Sequence, residues 1–480
     1  MSTKESTEHV RPRPIEDVLA GQPRAFSVSP GELAAAVASG RRMIVLDDDP
    51  TGTQTVSGLP VLTRWSVDDL RWALTQRAPA VFVLVNTRGM PAAAAAARDR
   101  EVVRASLEAA ALEGVEVVFA SRGDSTLRGH FPLEADAIAE ALNRQVDAVV
   151  LAPAYIDAGR VTVNGEHWLR TAEGMLPVGE SEFARDATFG YRASALPAWV
   201  EEKSGGAIPR REVPVITLGE LRSGDLPALV SRLTSLGAGR PVAVDAACDD
   251  DLRMLTLALI EAERLGKTFV YRVGPSFVRS RSGQAAVPPI DDARLRSLTD
   301  SATAHGLVVV GSHVAQTTRQ LERLRAGRSM ALIELENDRL LNPDGVGAYV
   351  AEVVERVVDL LASEEVVLST SRVLVTAGSG EANLALSRTI SAGVVRVVRG
   401  VTARVRPAFV VAKGGITSSD VATDGLGIVR AHVLGTLLPG IVSLWVAAEG
   451  RSAGLPYVVF AGNVGGDEAL AEVVDRLRKE

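Results

Sequence analysis

The sequence lacks most of the features that mark a specialised chemistry. It holds one cysteine, Cys248. A lone thiol cannot close an intramolecular disulfide or build a cysteine-ligated zinc site, and it suits a reducing compartment. Cys248 follows a strand-like run, which reads as a buried thiol rather than a nucleophile. The six histidines (His9, His130, His167, His305, His313 and His432) show no H-E-x-x-H or other metal-ligand spacing. Packing or capping roles are expected of them, and His130 and His167 lie nearest the candidate site loops. The G-x-x-x-x-G-K-[ST] phosphate loop is missing, and so is G-x-G-x-x-G. Their absence counts against a P-loop enzyme and against a dinucleotide-dependent dehydrogenase. No uninterrupted apolar run of about 18 residues occurs, so no membrane span is expected. Residues 1–29 are polar and have no apolar stretch of the signal-peptide type, so a cytoplasmic protein is expected. Positive charge is not in excess either. The net charge is −7, which argues against a nucleic-acid partner.

What is present reads as an α/β protein. A chain of 480 residues exceeds one ordinary core, so two domains are expected. Hydrophobic residues make up 46% and charged residues 23%, the balance of a soluble globular enzyme. Apolar runs of strand length recur with helical stretches between them, and polar clusters follow the runs. Met43–Leu46 runs into Asp47-Asp48-Asp49 and the Pro50-Thr51-Gly52 turn. Val81–Val85 ends in Asn86-Thr87-Arg88. Val115–Ala120 ends in Ser121-Arg122-Gly123-Asp124, and Ala148–Ala152 in Pro153-Ala154-Tyr155. Helical patterns cover Gly31–Ser39, Ala92–Leu112 and Leu133–Leu142. Further strand patterns lie at Val213–Thr217, Val242–Asp245 and Phe269–Val273. In the second half they lie at Leu307–Val310, Ala331–Leu335, Val373–Thr376, Phe409–Ala412 and Tyr457–Phe460, with an amphipathic helix over Val350–Leu361. This alternation predicts two α/β domains, each a mostly parallel sheet with helices on both faces. Residues 155–212 are irregular and predict an insertion that lines a site or makes a homodimer contact. Arg279–Asp292 is rich in Gly, Ser and Pro without periodicity and predicts a linker. The expected divisions are 1–40, 41–278, 279–300 and 301–480.

The chain is organised around Met43–Thr55. A strand that ends in three carboxylates and a glycine turn places charge at the carboxyl edge of a sheet, where open α/β folds bind ligands. Adjacent carboxylates repel, so a cation or a donor-rich ligand is expected beside them. Their position directly after a buried-type strand sets them apart from a solvated acidic turn. Arg122, Arg128 and Arg88 can clamp a carboxylate, because the guanidinium fork matches it. Ser125 and Thr126 can donate to hydroxyls. Taken alone, this loop is equally well a capped loop-to-helix junction. Four glycine or serine turns end strands of the second half: Gly311-Ser312, Gly378-Ser379-Gly380, Gly414-Gly415 and Gly462-Asn463. Glycine lets backbone N–H groups approach a ligand, and a following helix start suits phosphate. An ordinary capped turn accounts for any one of them; four in one half favour a nucleotide site.

These residues resemble a known family, the four-carbon acid sugar kinases. Asp48-Asp49-Pro50-Thr51-Gly52 is similar to its Asp-Asp-x-Thr-Gly strand end. Asp124-Ser125-Thr126-Leu127-Arg128-Gly129 is similar to its most distinctive motif. Gly159-Arg160 through Gly165 and His167 resembles its Gly-Arg…Gly-x-His segment, and Gly274-Pro275-Ser276 also fits. Gly311-Ser312, Gly414-Gly415-Ile416-Thr417 and Gly462-Asn463 resemble its nucleotide-binding turns. The resemblance spans most of residues 41–470. It implies a substrate domain at 41–278, a linker at 279–300 and an ATP-binding domain at 301–480. It also implies transfer of the γ-phosphoryl group of ATP to the terminal hydroxyl of a threonate, erythronate or oxo-tetronate. Asp48, Arg88, Arg122, Asp124, Ser125, Thr126, Leu127 and Arg128 would then bind the sugar acid. Ser312, Gly378, Gly414, Gly415, Ile416, Thr417, Gly462 and Asn463 would bind ATP. Asp48 or Asp49 would accept the proton of the attacking hydroxyl or hold the magnesium that accompanies ATP. The sequence departs from the family pattern in two places: Arg122 stands where a lysine is common, and Asp47 where a small residue is common. The alternatives are a non-catalytic nucleotide- or sugar-acid-binding sensor and a kinase of another small hydroxy acid.

Overall fold

The computed structural model describes residues 11–299, 304–326, 328–371, 380–462 and 464–478. Its fold is α/β, as expected, and contacts divide it into two units. The first comprises Met1–Asp48, Met90–Leu107 and Gly114–Ala285; the second comprises Asp49–Gly89, Glu108–Glu113 and Ala286–Glu480. The chain therefore passes from one unit to the other between Asp48 and Asp49.

In the first unit the strands run in the order Arg42–Asp47, Val117–Arg122, Phe269–Val273, Ala148–Ala152, Arg240–Val244 and Val215–Ile216. All neighbours are parallel. Their side chains are almost wholly buried, which is why these segments read as continuous apolar runs rather than alternating ones. Helices Pro30–Ala38, Leu226–Thr234 and Pro275–Arg281 pack on the long helix Asp249–Arg264.

The 155–212 segment forms a three-stranded antiparallel sheet of Arg160–Val163, Glu166–Arg170 and Met175–Pro177. Asp245, at the end of a parallel strand, holds its turn. The Asp245 carboxylate accepts from the backbone N–H groups of Gly165 (2.7 Å) and Asn164 (2.8 Å). The rest of the segment packs Val178, Tyr191 and Trp199 against Leu127 and Phe131.

In the second unit the order is Met330–Leu335, Glu365–Thr370, Leu307–Val310, Val410–Lys413, Pro456–Phe460, Val442–Ala447, Arg430–Leu438, Pro60–Leu62 and Ala80–Leu84. The first five strands are parallel. Val442–Ala447 and Arg430–Leu438 form an antiparallel hairpin that the sequence reading did not place. Arg430–Leu438 then pairs with Pro60–Leu62. Thr53 anchors the Asp49–Gly89 stretch in this unit, with Ser443 Oγ and Trp445 Nε1 each 2.9 Å from its hydroxyl. The expected strand Val373–Thr376 lies outside the described residues. Among the described residues, no helix is long and apolar enough to cross a membrane.

The first residues of the expected linker are helical instead. Arg279 and Arg281 close the Pro275–Arg281 helix and are buried. Carboxylates neutralise both. Arg279 reaches Asp157 at 2.7 Å and Asp249 at 2.6 Å, and Arg281 reaches Glu263 at 3.0 Å. A charged, serine-rich stretch reads as a loop only while these partners are hidden in distant parts of the sequence. Removing one side of the Arg281–Glu263 pair strands a buried charge, at about 3–5 kcal/mol. Thermal unfolding should show a large drop for Glu263→Ala and a much smaller one for the double variant Glu263→Leu with Arg281→Met. Equal drops would contradict a buried pair.

Candidate active site

The register of two parallel strands builds the acidic edge. Arg42–Asp47 lies beside Val117–Arg122 with Asp47 directly opposite Arg122. The Arg122 guanidinium donates to Asp47 and lies 3.5 Å from Asp48 Oδ1. All three side chains are buried. Consecutive carboxylates at a buried edge need a cation, and Arg122 is that cation. Its charge is committed to the aspartates. Asp47 and Arg122 are thus each other's partners.

Gly129 makes the next contact. Its φ is +128°, and a Cβ there would lie 2.9 Å from Arg272 Nη2, 3.6 Å from Asp48 Oδ2 and 3.7 Å from Glu134 Oε2. Glycine is required on both counts. Arg272 runs beneath the loop; a Cβ on Gly123 would fall 1.2 Å from its Nη1. It also donates to Arg128 O at 3.2 Å and lies 3.7 Å from Glu134. Asp99, from the Ala92–Glu113 helix, completes the group. It is 2% exposed, and its Oδ1 has no hydrogen-bond partner. Burial, with Glu134 and Asp48 nearby, pushes its pKa up to about 8. The sequence reading missed Asp99, Glu134 and Arg272. The available signal was a lone charge inside an apolar element, as in Phe269–Val273.

The Asp124–Gly129 loop is a closed hydrogen-bonded turn. Leu127 takes φ +66°, and its N–H donates to Asp124 O at 3.0 Å. The Thr126 hydroxyl and Arg128 Nε both donate to Asp124 Oδ2, the latter at 2.6 Å. Arg128 also lies 3.5 Å from Asp186 and stacks over Phe183. The antiparallel insertion fixes the loop from outside. Tyr191 OH donates to Thr126 O at 2.5 Å, and His167 Nε2 lies 2.8 Å from Ser125 O. A carbonyl only accepts, so His167 Nε2 carries the hydrogen and Nδ1 accepts from the Thr162 hydroxyl at 2.9 Å. Burial lowers the His167 pKa to about 4, so the ring is neutral. His130 bonds Met90 O at 2.9 Å and packs edge-on against Phe189.

In the second unit three strand ends converge. A Cβ on Gly311 would lie 2.1 Å from Thr417 Oγ1, and one on Gly462 would lie 2.6 Å from Ser312 Oγ. Gly414 takes φ +126° between Ser312 and Thr417. Asp49 belongs to this group. Its Oδ1 accepts from Thr51 N at 2.9 Å, and its Oδ2 lies 3.4 Å from Arg88 Nη1. A Cβ on Gly415 would meet the same Oδ2 at 2.5 Å. Ile416 is exposed. Beside the turns lies a cavity of about 210 Å³ lined by Gly311, His313, Thr370, Ile390, Thr417 and Asp420 among others. Gly378 and Asn463 lie outside the described residues. Lys413 precedes the Gly414 turn yet points inward. It is buried, donates to Ala461 O at 2.6 Å and sits over the Phe460 ring, and burial lowers its pKa to about 6. The thiol of Cys248, pushed up to about 11 by burial, is correspondingly unreactive.

The Sugar-binding N-terminal domain model matches residues 43–281, and the Nucleotide-binding C-terminal domain model matches residues 307–470. The chain belongs to the four-carbon acid sugar kinases. These are phosphotransferases with an alcohol group as acceptor. A 3-oxo-tetronate kinase of Methylobacterium radiotolerans is 27% identical over 90% of this chain and 98% of its own. A D-threonate kinase of Bordetella bronchiseptica is 27% identical over 91% and 97%. A D-erythronate kinase of Heliobacterium modesticaldum is 26% identical over 75% and 79%. The fold is shared with solved proteins from Salmonella typhimurium LT2 (TM-score 0.63, 19% identical, covering 90% of this chain and 98% of that one) and Haemophilus influenzae (TM-score 0.55, 18% identical, 90% and 99%).

Asp99 gives this kinase a measurable pH signature. An unfolded aspartate ionises near 4, whereas the folded carboxyl holds its proton up to about 8. Between those values the unfolded chain binds fewer protons, so this group makes stability fall as pH rises. Melting temperatures from pH 5 to pH 8 should fall less steeply for Asp99→Asn than for the parent. Parallel curves would contradict the assignment.

Proposed function

We propose that the protein transfers the γ-phosphoryl group of magnesium-ATP to the terminal hydroxyl of a four-carbon sugar acid of the threonate, erythronate or 3-oxo-tetronate type. The observation that carries this reading is the division of two consecutive carboxylates. Asp48 sits with Arg122, Gly129 and Glu134 in the half that matches a sugar-binding domain. Asp49, the next residue of the same matched stretch, packs in the second unit instead, against Gly415 of the residues that match a nucleotide-binding domain.

Phosphoryl transfer asks a protein for positioning and charge neutralisation more than for covalent help. Asp48 is assigned the proton of the attacking hydroxyl. The Asp124–Arg128 loop, held rigid by Tyr191 and His167, orients the acid. Gly414, Gly415 and Gly462 open backbone space for the phosphates, with Ser312 and Thr417 hydroxyls beside it. Among the described residues no three His, Cys, Asp or Glu side chains form a metal cluster. Magnesium in such sites is held by one or two carboxylates plus the nucleotide phosphates, so Asp49 fits as its protein contact. When bound, the ion neutralises charge on the transferring phosphate.

The test is ADP release with magnesium-ATP against D- and L-threonate, D- and L-erythronate and their 3-oxo relatives. Turnover of one of these acids is expected; ATP binding without turnover of any would favour a sensor or a different hydroxy acid. With the active acid, Asp48→Asn should cut kcat by about 10²–10⁴-fold while KM for ATP stays near the parent value. Full turnover at saturating substrate would remove Asp48 from that role.

A further inference from the structure

Five arginines are buried among the described residues: Arg122, Arg160, Arg272, Arg279 and Arg281. Four hold a carboxylate within ion-pair distance: Arg122 with Asp47, Arg272 with Glu134 at 3.7 Å, Arg279 with Asp157 at 2.7 Å and Arg281 with Glu263 at 3.0 Å. Among the described residues Arg160 has no such partner, and its Nε makes no hydrogen bond. It is 9% exposed and opens the Arg160–Val163 strand, where its N–H and C=O both bond Tyr155 at 2.9 Å. Its guanidinium faces the rings of Tyr155 (5.6 Å) and Phe183 (6.0 Å), and Arg128 stacks over the same Phe183 at 5.1 Å. The charges that act on Arg160 are Asp124, in its favour, and Arg128, against it; burial depresses its pKa. Arg128 has already spent its charge on Asp124 and Asp186.

A buried cation facing aromatic rings, with no anion of its own, is unfinished: a ring face offsets only part of the lost hydration. We propose that Arg160 is the anchor for the carboxylate of the sugar acid, with Phe183 as the wall that holds Arg160 and Arg128 side by side. The proposal rests on the reading of this half as the acid-binding half, and it assigns to Arg160 the role that the motif alone suggested for Arg128. Asp124, whose charge acts on Arg160, belongs to the turn that carries the Ser125 and Thr126 hydroxyls, and this favours a hydroxylated acid over a bare phosphate.

The test is calorimetric binding of the panel acids, of the matching tetritol, which lacks the carboxylate, and of inorganic phosphate. The parent protein, Arg160→Met and Arg160→Lys are compared. The parent should prefer acid over tetritol. Arg160→Met should weaken the acid by about 10–100-fold, the scale of a lost charged hydrogen bond, and leave the tetritol and the ATP KM unchanged. Arg160→Lys keeps the charge without the fork and should fall between. Ligand-free Arg160→Met should melt at or above the parent, because it loses a buried charge that Asp124 and the ring faces offset only in part. A well-folded Arg160→Met with parental acid affinity overturns the proposal. So does an Arg160→Met that melts far below the parent, which makes the guanidinium structural, provided Arg160→Lys then binds acid as the parent does. Arg160-dependent binding of phosphate with equal affinity for acid and tetritol overturns it as well. Arg160-dependent acid binding without any ADP release would sustain the anchor while removing the kinase reading.

Discussion

One ion pair sets the geometry of the acidic edge. The parallel register of Arg42–Asp47 against Val117–Arg122 puts a guanidinium beside two consecutive carboxylates, all of them buried. In a low-dielectric interior those carboxylates could not stay charged together unaided, and breaking such a pair typically costs about 3–5 kcal/mol. The loop after Arg122 inherits its position from the pair. Gly123 and Gly129 then let Arg272 pass beneath that loop, and Arg272 reaches Glu134. The acidic edge is therefore a network of charges of alternating sign, in which burial, with Glu134 and Asp48 nearby, keeps Asp99 protonated despite Arg98 and Arg272.

The strands and their polar ends were legible because buried parallel strands are written as apolar runs, and Met43–Leu46, Ala148–Ala152 and Phe269–Val273 lie where those runs do. The hairpin of Arg430–Leu438 and Val442–Ala447 was not legible. Val442–Ala447 is buried on both faces, and Arg430–Leu438 alternates only over its first half before its end is wholly buried, so the pair carries too little alternation to announce an antiparallel hairpin. Nor could sequence place Asp49–Gly89, whose anchor is a Thr53–Ser443 contact across 390 positions. Pro275–Arg281 was partly hidden for the same reason, since its arginines find their carboxylates far along the chain.

Within the site, turn chemistry was readable and charge bookkeeping was not. The Asp124–Arg128 motif pointed to a polar loop, and the structure contains one. Which arginine has charge to spare is decided by neighbours: Arg122 and Arg128 are paired, whereas Arg160, part of a motif with no assigned role, has no carboxylate partner among the described residues. Lys413 shows the converse. It precedes a glycine turn as a phosphate-binding lysine would, but it is turned inward onto Phe460 and Ala461 O.

The central claim is a division of labour, with the acid held by residues of the first half and ATP by the glycine turns of the second. Steady-state KM values for both substrates in Gly462→Ala test it most directly, because the added methyl displaces the Ser312 hydroxyl 2.6 Å away. The account predicts a KM for ATP raised about tenfold or more, the scale of one lost charged hydrogen bond, with the KM for the acid unchanged. A KM for the acid that rises as much as that for ATP, or a KM for ATP that does not move, would contradict it.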